Sequence, residues 1–429
     1  MYKPNSDKHL RIRLPGSKFS LAFIALLLWL VFSGCKKEAA DPFAGVPRTG
    51  TSMQLTLDSI FLYASQVYLW REALPAYTDF VPRARYGAIA PELSAFRQEL
   101  YDISQMKLNP QTGLPYEYNG GNGTARYSFL TEGEAGATSG MAGIVSDAAL
   151  ETAILKAGNK NVGYLSAASF PALADCRQEL DDAFESFAQA AVEDLVIDLR
   201  SNGGGYVSTA QYLADLVATP ALNGKKMFSE VYNSLMQGGG AFLLQQQPYL
   251  DEEGHTVQYQ GRTATMADVD YSEAGNTYTF NKKGSLSTVK NVYFIVSGST
   301  ASAAEMLISV LKPYVNVTLI GQKTYGKPVG FFALNIDAYS VYLSSFFIKN
   351  ANGWYDYFEG MQPDAVMQMP ANPVLGHPDE PCLKKALEQI SGSPVSNAVV
   401  VQHKISMKPG TQTIPAEKNI MVENRLKLR

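Results

Sequence analysis

From Leu55 to Leu74 the chain reads LTLDSIFLYASQVYLWREAL, and Leu57, Ile60, Phe61, Ala64, Val67 and Tyr68 recur three and four positions apart. That spacing puts them on one stripe of a helix, and Pro75 ends it because proline cannot continue the hydrogen-bond ladder. A second helix is expected from Pro91, a residue suited to a first turn, to about Met106. LNPQTGLPYEYNGGNGTARYSFL (108–130) has no period and reads as turns and loop. From Asn161 the pattern changes. NVGYLSAASF, EDLVIDLR, NVYFIVSG and VTLIGQK read as strands; CRQELDDAFESFAQAA, STAQYLADLVA and SAAEMLISVLKPY read as helices. Such alternation predicts an α/β layer with largely parallel strands.

These patterns divide the chain into a helical unit over 51–130, a connector over 131–160 and an α/β core over 161–390. A Gly-, Gln- and Tyr-rich insertion at about 221–286 is expected to form a hairpin or lid over the core. Residues 391–429 are polar and charged and are expected to be a loosely held tail.

The N-terminus follows another rule. Lys3, Lys8, Arg11, Arg13 and Lys18 precede FSLAFIALLLWLVF, an apolar run from Phe19 to Phe32, and then SGC. The run is shorter than the roughly 20 residues a membrane helix needs, and its basic flank and small-residue exit fit a signal peptide over 1–34. VFSGCKK resembles the lipobox of bacterial lipoproteins, which implies lipidation of Cys35, a membrane anchor and a tether over 35–50. Only Cys176 and Cys382 remain, enough for one disulfide or two buried thiols but not for a disulfide framework or a metal cluster. A net charge of −4 gives no reason to expect nucleic-acid binding.

The candidate chemistry lies in three stretches. The histidines, His9, His255, His377 and His403, are scattered through leader, insertion, loop and tail, so neither a Ser-His-Asp triad nor a metal site is indicated. Ser302, in GSTASAAEML, falls between a strand and a helix, where free backbone N–H groups and the helix dipole favour a developing oxyanion. Lys327, in GQKTYGKPVG, sits among Tyr325, Val329, Phe331 and Phe332; burial there would lower its pKa and make the amine a general base. In VIDLRSNGGGYV an apolar strand ends in Asp198, Arg200 and Asn202, and the glycines after it permit close backbone approach to a ligand. Each stretch also has a plainer reading: an N-cap serine, an exposed loop lysine and a glycine-rich turn. No GK[ST] follows the glycines, which excludes a phosphate loop.

Taken together, LRSNGGG, TASAAE and TYGK resemble, in order and spacing, the motifs of the C-terminal processing (tail-specific) peptidases, serine peptidases of the S41 type. The resemblance covers about residues 160–390. It implies a crotonase-like ββα core preceded by helices, with Ser302 as nucleophile and Lys327 as general base. It further implies an oxyanion hole from Gly204, Gly205 and the N–H of Ala303, with Glu305 and Thr324 as supporting residues. Polypeptide substrates are implied, and no cofactor. Three departures stand out. Phe331 replaces the Gln that the family often places four residues after the lysine. Pro313 replaces a commonly acidic residue. The 31 positions from Leu130 to Asn161 are too few for the family's PDZ domain. The rival reading is a catalytically idle lipoprotein that binds a peptide or apolar ligand in the same cleft.

Overall fold

A computed structural model of the chain describes residue 43 and residues 45–133, 148–251, 255–394, 400–408, 420–422 and 425–429. The apolar run Phe19–Phe32 and Cys35 lie outside the described residues. Pro47–Arg429 is one compact unit.

Helix α1 (Ser52–Val67) starts where Thr51 and Gln54 cap each other's backbone N–H groups, and it buries Leu57, Ile60, Phe61, Ala64 and Val67. It ends short of the expected Leu74. Tyr68 turns extended, and the Leu69 N–H donates to Ser344 O at 2.8 Å, so a tertiary partner takes over from the helical ladder. Only a 3₁₀ turn, Arg71–Ala73, follows. Helix α2 (Glu92–Ser104) begins directly after Pro91.

The core is a mixed α/β sheet of seven strands in the order β16-β11-β10-β4-β3-β2-β17. Its parallel members are β3 (Lys160–Ala167), β4 (Asp194–Asp198), β10 (Asn291–Val296), β11 (Asn316–Gly321) and β16 (Ala365–Val366). The antiparallel edge is β2 (Ala148–Ala157) and β17 (Val400–Lys408). Strand alternation turns Val162, Tyr164, Val196 and Ile295 to one face, where helix α6 (Pro381–Ser391) covers them with Leu383, Ala386, Leu387 and Ile390. The other face receives helix α3 (Leu173–Gln189), whose Phe187 lies so close to Gly163 that a Cβ there would meet the ring at 3.1 Å. Helix α4 (Val207–Val217) packs against α3 and also against α5 (Ala303–Leu311).

Two smaller sheets flank the core. One joins β1 (Phe129–Glu132), β14 (Tyr339–Tyr342) and β13 (Ala333–Ile336); the other joins β12 (Val329–Gly330), β15 (Phe346–Asn350), β6 (Lys226–Tyr232) and β9 (Thr277–Thr279). The remaining pairs are β7 (Gln258–Tyr259) with β8 (Arg262–Thr263), and β18 (Ile420–Val422) with β5 (Gly204–Tyr206).

The structure redraws three expectations. The 131–160 connector contains β2, because its apolar residues complete the core sheet. The insertion does contain a hairpin, β7–β8, but it is also built into the fold. β6 and β9 belong to a sheet, and Asn233 and Gln247 bond to Gln66 O, Tyr68 O and the Tyr63 hydroxyl of α1. The tail is not loosely held where it is described: β17 extends the core sheet, β18 pairs with β5, and Arg429 N donates to Asp268 O at 2.9 Å. Backbone pairing outweighs its charged composition. Cys176 and Cys382 are buried free thiols.

Glu99 is fully buried in α2, and neither of its carboxylate oxygens has a partner among the described residues. Burial, reinforced by the charges of Asp58 and Asp102, raises its pKa well above the usual carboxylate range. A raised folded pKa contributes stability at pH below the unfolded value of about 4.3 and loses it as pH climbs toward the folded value. Glu99→Gln therefore should change the melting temperature little near pH 4 and raise it progressively toward pH 8. A stability difference independent of pH would show that folding leaves the Glu99 pKa where it is in the unfolded chain.

Candidate active site

Ser302 stands where β10 hands over to α5. It has φ 62° and ψ −119°, a conformation that a side chain rarely adopts and that persists only when its surroundings enforce it. Those surroundings are identifiable. The preceding loop is stitched to the glycine loop after β4. Thr300 Oγ1 donates to Leu199 O at 2.7 Å, Ser297 Oγ to Arg200 O, and Ala301 N to Asn202 O at 3.0 Å. Ser302 is fully buried, and its Oγ has no hydrogen-bond partner among the described residues.

Glu305, one turn into α5 and fully buried, ties this serine to the lysine loop. One of its oxygens, Oε2, accepts from the Ser302 N–H at 3.0 Å and from the Lys327 N–H at 2.8 Å. The other, Oε1, accepts from the Gly326 N–H at 2.7 Å and from the Thr324 hydroxyl. Burial raises the Glu305 pKa and these donors pull it back. Thr324 Oγ1 in turn accepts from Met361 N at 2.7 Å, so the loop is braced from behind. Tyr325 N donates to Thr300 O at 2.9 Å. Gly326, at φ 91°, passes so close to Phe358 O that a Cβ would sit 2.3 Å from it; only glycine allows the turn.

Lys327 is buried, with Nζ 4.3 Å from the ring centroid of Phe331 and 5.8 Å from that of Tyr127. Desolvation lowers its pKa to about 7, against the pull of Glu117 and Glu305. Near neutral pH a large fraction of this lysine is therefore a neutral amine able to accept a proton. Phe331, in the place of the expected Gln, offers a ring face and no hydrogen bond from its side chain.

Of the backbone groups expected around the serine, Gly204 and Gly205 have φ of 108° and 134°. A Cβ on Gly205 would fall 2.0 Å from Phe170 O. The Gly204 N–H is already donated to Asn202 Oδ1 at 2.8 Å. Asp198 and Arg200 belong to the scaffold. The Arg200 fork bonds Asp198 Oδ2 at 2.7 Å and Glu380, the N-cap of α6, at 2.6 and 2.9 Å, all buried.

Sequence reasoning missed Glu117 and Tyr127, both from the stretch without periodicity. Buried Glu117 accepts from the Ser128 N–H at 2.7 Å, from the Ser128 and Ser344 hydroxyls at 2.9 Å and from Tyr68 at 3.1 Å. Tyr127 donates its hydroxyl to Gly326 O at 2.6 Å. No spacing rule marks a loop carboxylate whose partners lie on three distant segments. His255 and His377 are exposed and bond to Asp251 and Asp379.

Glu305→Ala would strand three buried N–H groups and a hydroxyl. With an unsatisfied buried donor costing about 1–3 kcal/mol, the variant should lose about 3 kcal/mol or more in urea unfolding, whereas Glu305→Gln, which keeps two acceptor lone pairs, should lose less. Equal stability of wild type and Glu305→Ala would show that Glu305 does not hold the two loops together.

Residues 161–367 match peptidase family S41. The carboxy-terminal processing protease CtpA of Bacillus subtilis (strain 168) is 24% identical over 222 residues, which are 52% of this chain. The chain spans only 38% of the length of that relative. A solved structure from Bacteroides fragilis NCTC 9343, assigned as an S41 protease, superposes with a TM-score of 0.52 at 17% identity, covering 78% of this chain and 97% of the other. At that identity the likeness concerns the fold. Sequence motifs, family match and fold agree in likening residues 161–367 to peptidase family S41.

Proposed function

We propose that the protein is a serine endopeptidase that cleaves polypeptides through a Ser302/Lys327 pair. The reading rests above all on Glu305, whose one carboxylate oxygen gathers the N–H groups of Ser302 and Lys327. A neutral Lys327 takes the proton of Ser302 as its oxygen attacks the scissile carbonyl. The tetrahedral oxyanion is received by the N–H groups of Gly205 and Ala303, the latter at the positive end of α5. Collapse breaks the C–N bond as the Lys327 ammonium gives its proton to the leaving nitrogen, which releases the amine product and leaves an acyl-enzyme. The lysine, neutral again, deprotonates a water that attacks the ester, and the proton returns to the Ser302 oxygen as the acid product leaves. The core is the crotonase-like ββα unit of the resemblance. Phe331 takes the part that a Gln plays elsewhere: it keeps Lys327 neutral by desolvation instead of orienting it by a hydrogen bond. Without room for a PDZ domain, substrates are gathered by the cleft itself. The protein works in the cell envelope, held by a lipid on Cys35.

Fluorophosphonate probes should label the folded wild type at Ser302 and leave Ser302→Ala unlabelled. A folded wild type that never labels would instead assign the cleft to binding without catalysis.

The base must lose its proton, so kcat/KM should rise with pH through about 7 and level off above it. In Phe331→Gln an amide oxygen replaces the ring 4.3 Å from Nζ and favours the ammonium form. The rising limb should therefore move to higher pH. A limb that stays in place would show that Lys327 is not the titrating base.

Cys35→Ala should shift the protein from the membrane fraction to the soluble fraction; continued anchoring would end the lipoprotein reading.

A further inference from the structure

Residues 420–422 run parallel to β5, with Ile420 opposite Gly204, Met421 opposite Gly205 and Val422 opposite Tyr206. The other edge of β5 is held by Phe170, whose N–H donates to Gly204 O at 2.9 Å and whose carbonyl accepts from Tyr206 N at 2.9 Å. Successive residues of a strand turn their N–H and C=O groups to opposite edges. Gly205 therefore presents its peptide groups to the edge on which β18 lies. Its N–H is one of the two that the proposed function assigns to the oxyanion, since Asn202 holds that of Gly204. β18 also touches α5, the helix that Ser302 begins, and β12, which follows Lys327 by one residue. The three elements that compose the candidate site are thus all neighbours of this one short strand, and Ser302 and Lys327 are buried in the same structure.

The segment is held on both sides of the cleft. Upstream, β17 pairs with β2 at the edge of the core sheet. Downstream, Arg425 bonds Gln211 of α4 at 2.8 Å, and the insertion grips the last residues: Tyr249 donates to Leu426 O at 2.7 Å and Asp270 N to Lys427 O at 2.8 Å. These contacts hold the chain before and after 420–422 and do not involve its pairing with β5. A three-residue strand gains only a few backbone hydrogen bonds, each worth about 1 kcal/mol net, so a longer strand that pairs along the same edge can displace it.

We infer that the edge of β5 opposite Phe170 is where an extended polypeptide substrate adds itself as a parallel strand, and that the chain's own residues 420–422 are its resident occupant, an intramolecular inhibitor of the site. Main-chain pairing of this kind accepts many sequences, and a tethered occupant competes at high effective concentration. The inference rests on the peptidase reading for its consequence, not for the pairing itself.

The test compares wild type, a chain ending at Lys418 and Val422→Pro, in which the strand loses an N–H while the anchors at 425–429 remain. Fluorophosphonate labelling of Ser302 should be about tenfold faster or more in both variants, and Val422→Pro guards against a truncation that fails to fold. A capped peptide spanning residues 416–424 should slow labelling of the truncated chain. The same peptide, made fluorescent, should bind the truncated Ser302→Ala chain by anisotropy and bind the full-length Ser302→Ala chain at least tenfold more weakly. Equal labelling rates in folded variants, or no peptide binding to the truncated chain, would overturn the inference. Peptide binding with no labelling in any form would uphold the strand edge and defeat the peptidase reading alone.

Discussion

A single buried carboxylate holds the centre of this molecule together. Glu305 accepts from the backbone of Ser302, Gly326 and Lys327 and from the Thr324 hydroxyl. A carboxylate is costly to bury, and four donors are what make its burial tolerable. The consequence is geometric. The start of α5 and the loop after β11 cannot move apart without leaving donors unsatisfied, so the strained backbone of Ser302 and the tight turn at Gly326 are held in place by the same group.

Around that bridge the scaffold works by covering opposite ends of one sheet. Parallel strands β3, β4, β10 and β11 deliver their C-terminal ends to one edge, where the glycine loop and the serine loop meet through Thr300, Ser297 and Ala301. Arg200, at the end of β4, then reaches across to Glu380 and fastens α6 to the same edge. A buried ion pair of this type adds little net stability. Its effect here is to join the closing helix of the core to the strand that carries the glycines.

Lys327 shows how a site can be tuned by apolar groups. The ring of Phe331 and the buried phenol of Tyr127 remove water from the amine, and the nearby carboxylates Glu117 and Glu305 offset only part of that loss. The N-terminal segments thereby help set the environment of Lys327, since Tyr127 and Glu117 belong to the chain before β1. At the other end of the chain the tail runs alongside β5 and bonds to the insertion through Leu426.

Periodicity and local chemistry were enough to locate core strands β3, β4, β10 and β11, the helices α1 to α5, and the stretches around Ser302, Lys327 and the glycines. Each of these depends on neighbours in sequence: alternation, helical spacing, a cap, or a glycine at a strand end. The motif order and spacing also carried the resemblance to the family that residues 161–367 match. What the tertiary structure alone decided were partners separated by long stretches of chain. The end of α1 at Val67 depends on Ser344, the pairing of Glu117 on Ser128, Ser344 and Tyr68, the membership of β2 and β17 on the sheet edge they complete, and the position of β18 on Gly204–Tyr206. A hydrogen bond between distant segments leaves no period in either one. That is why the tail read as loose polar chain, although its backbone donors and acceptors found a strand to meet.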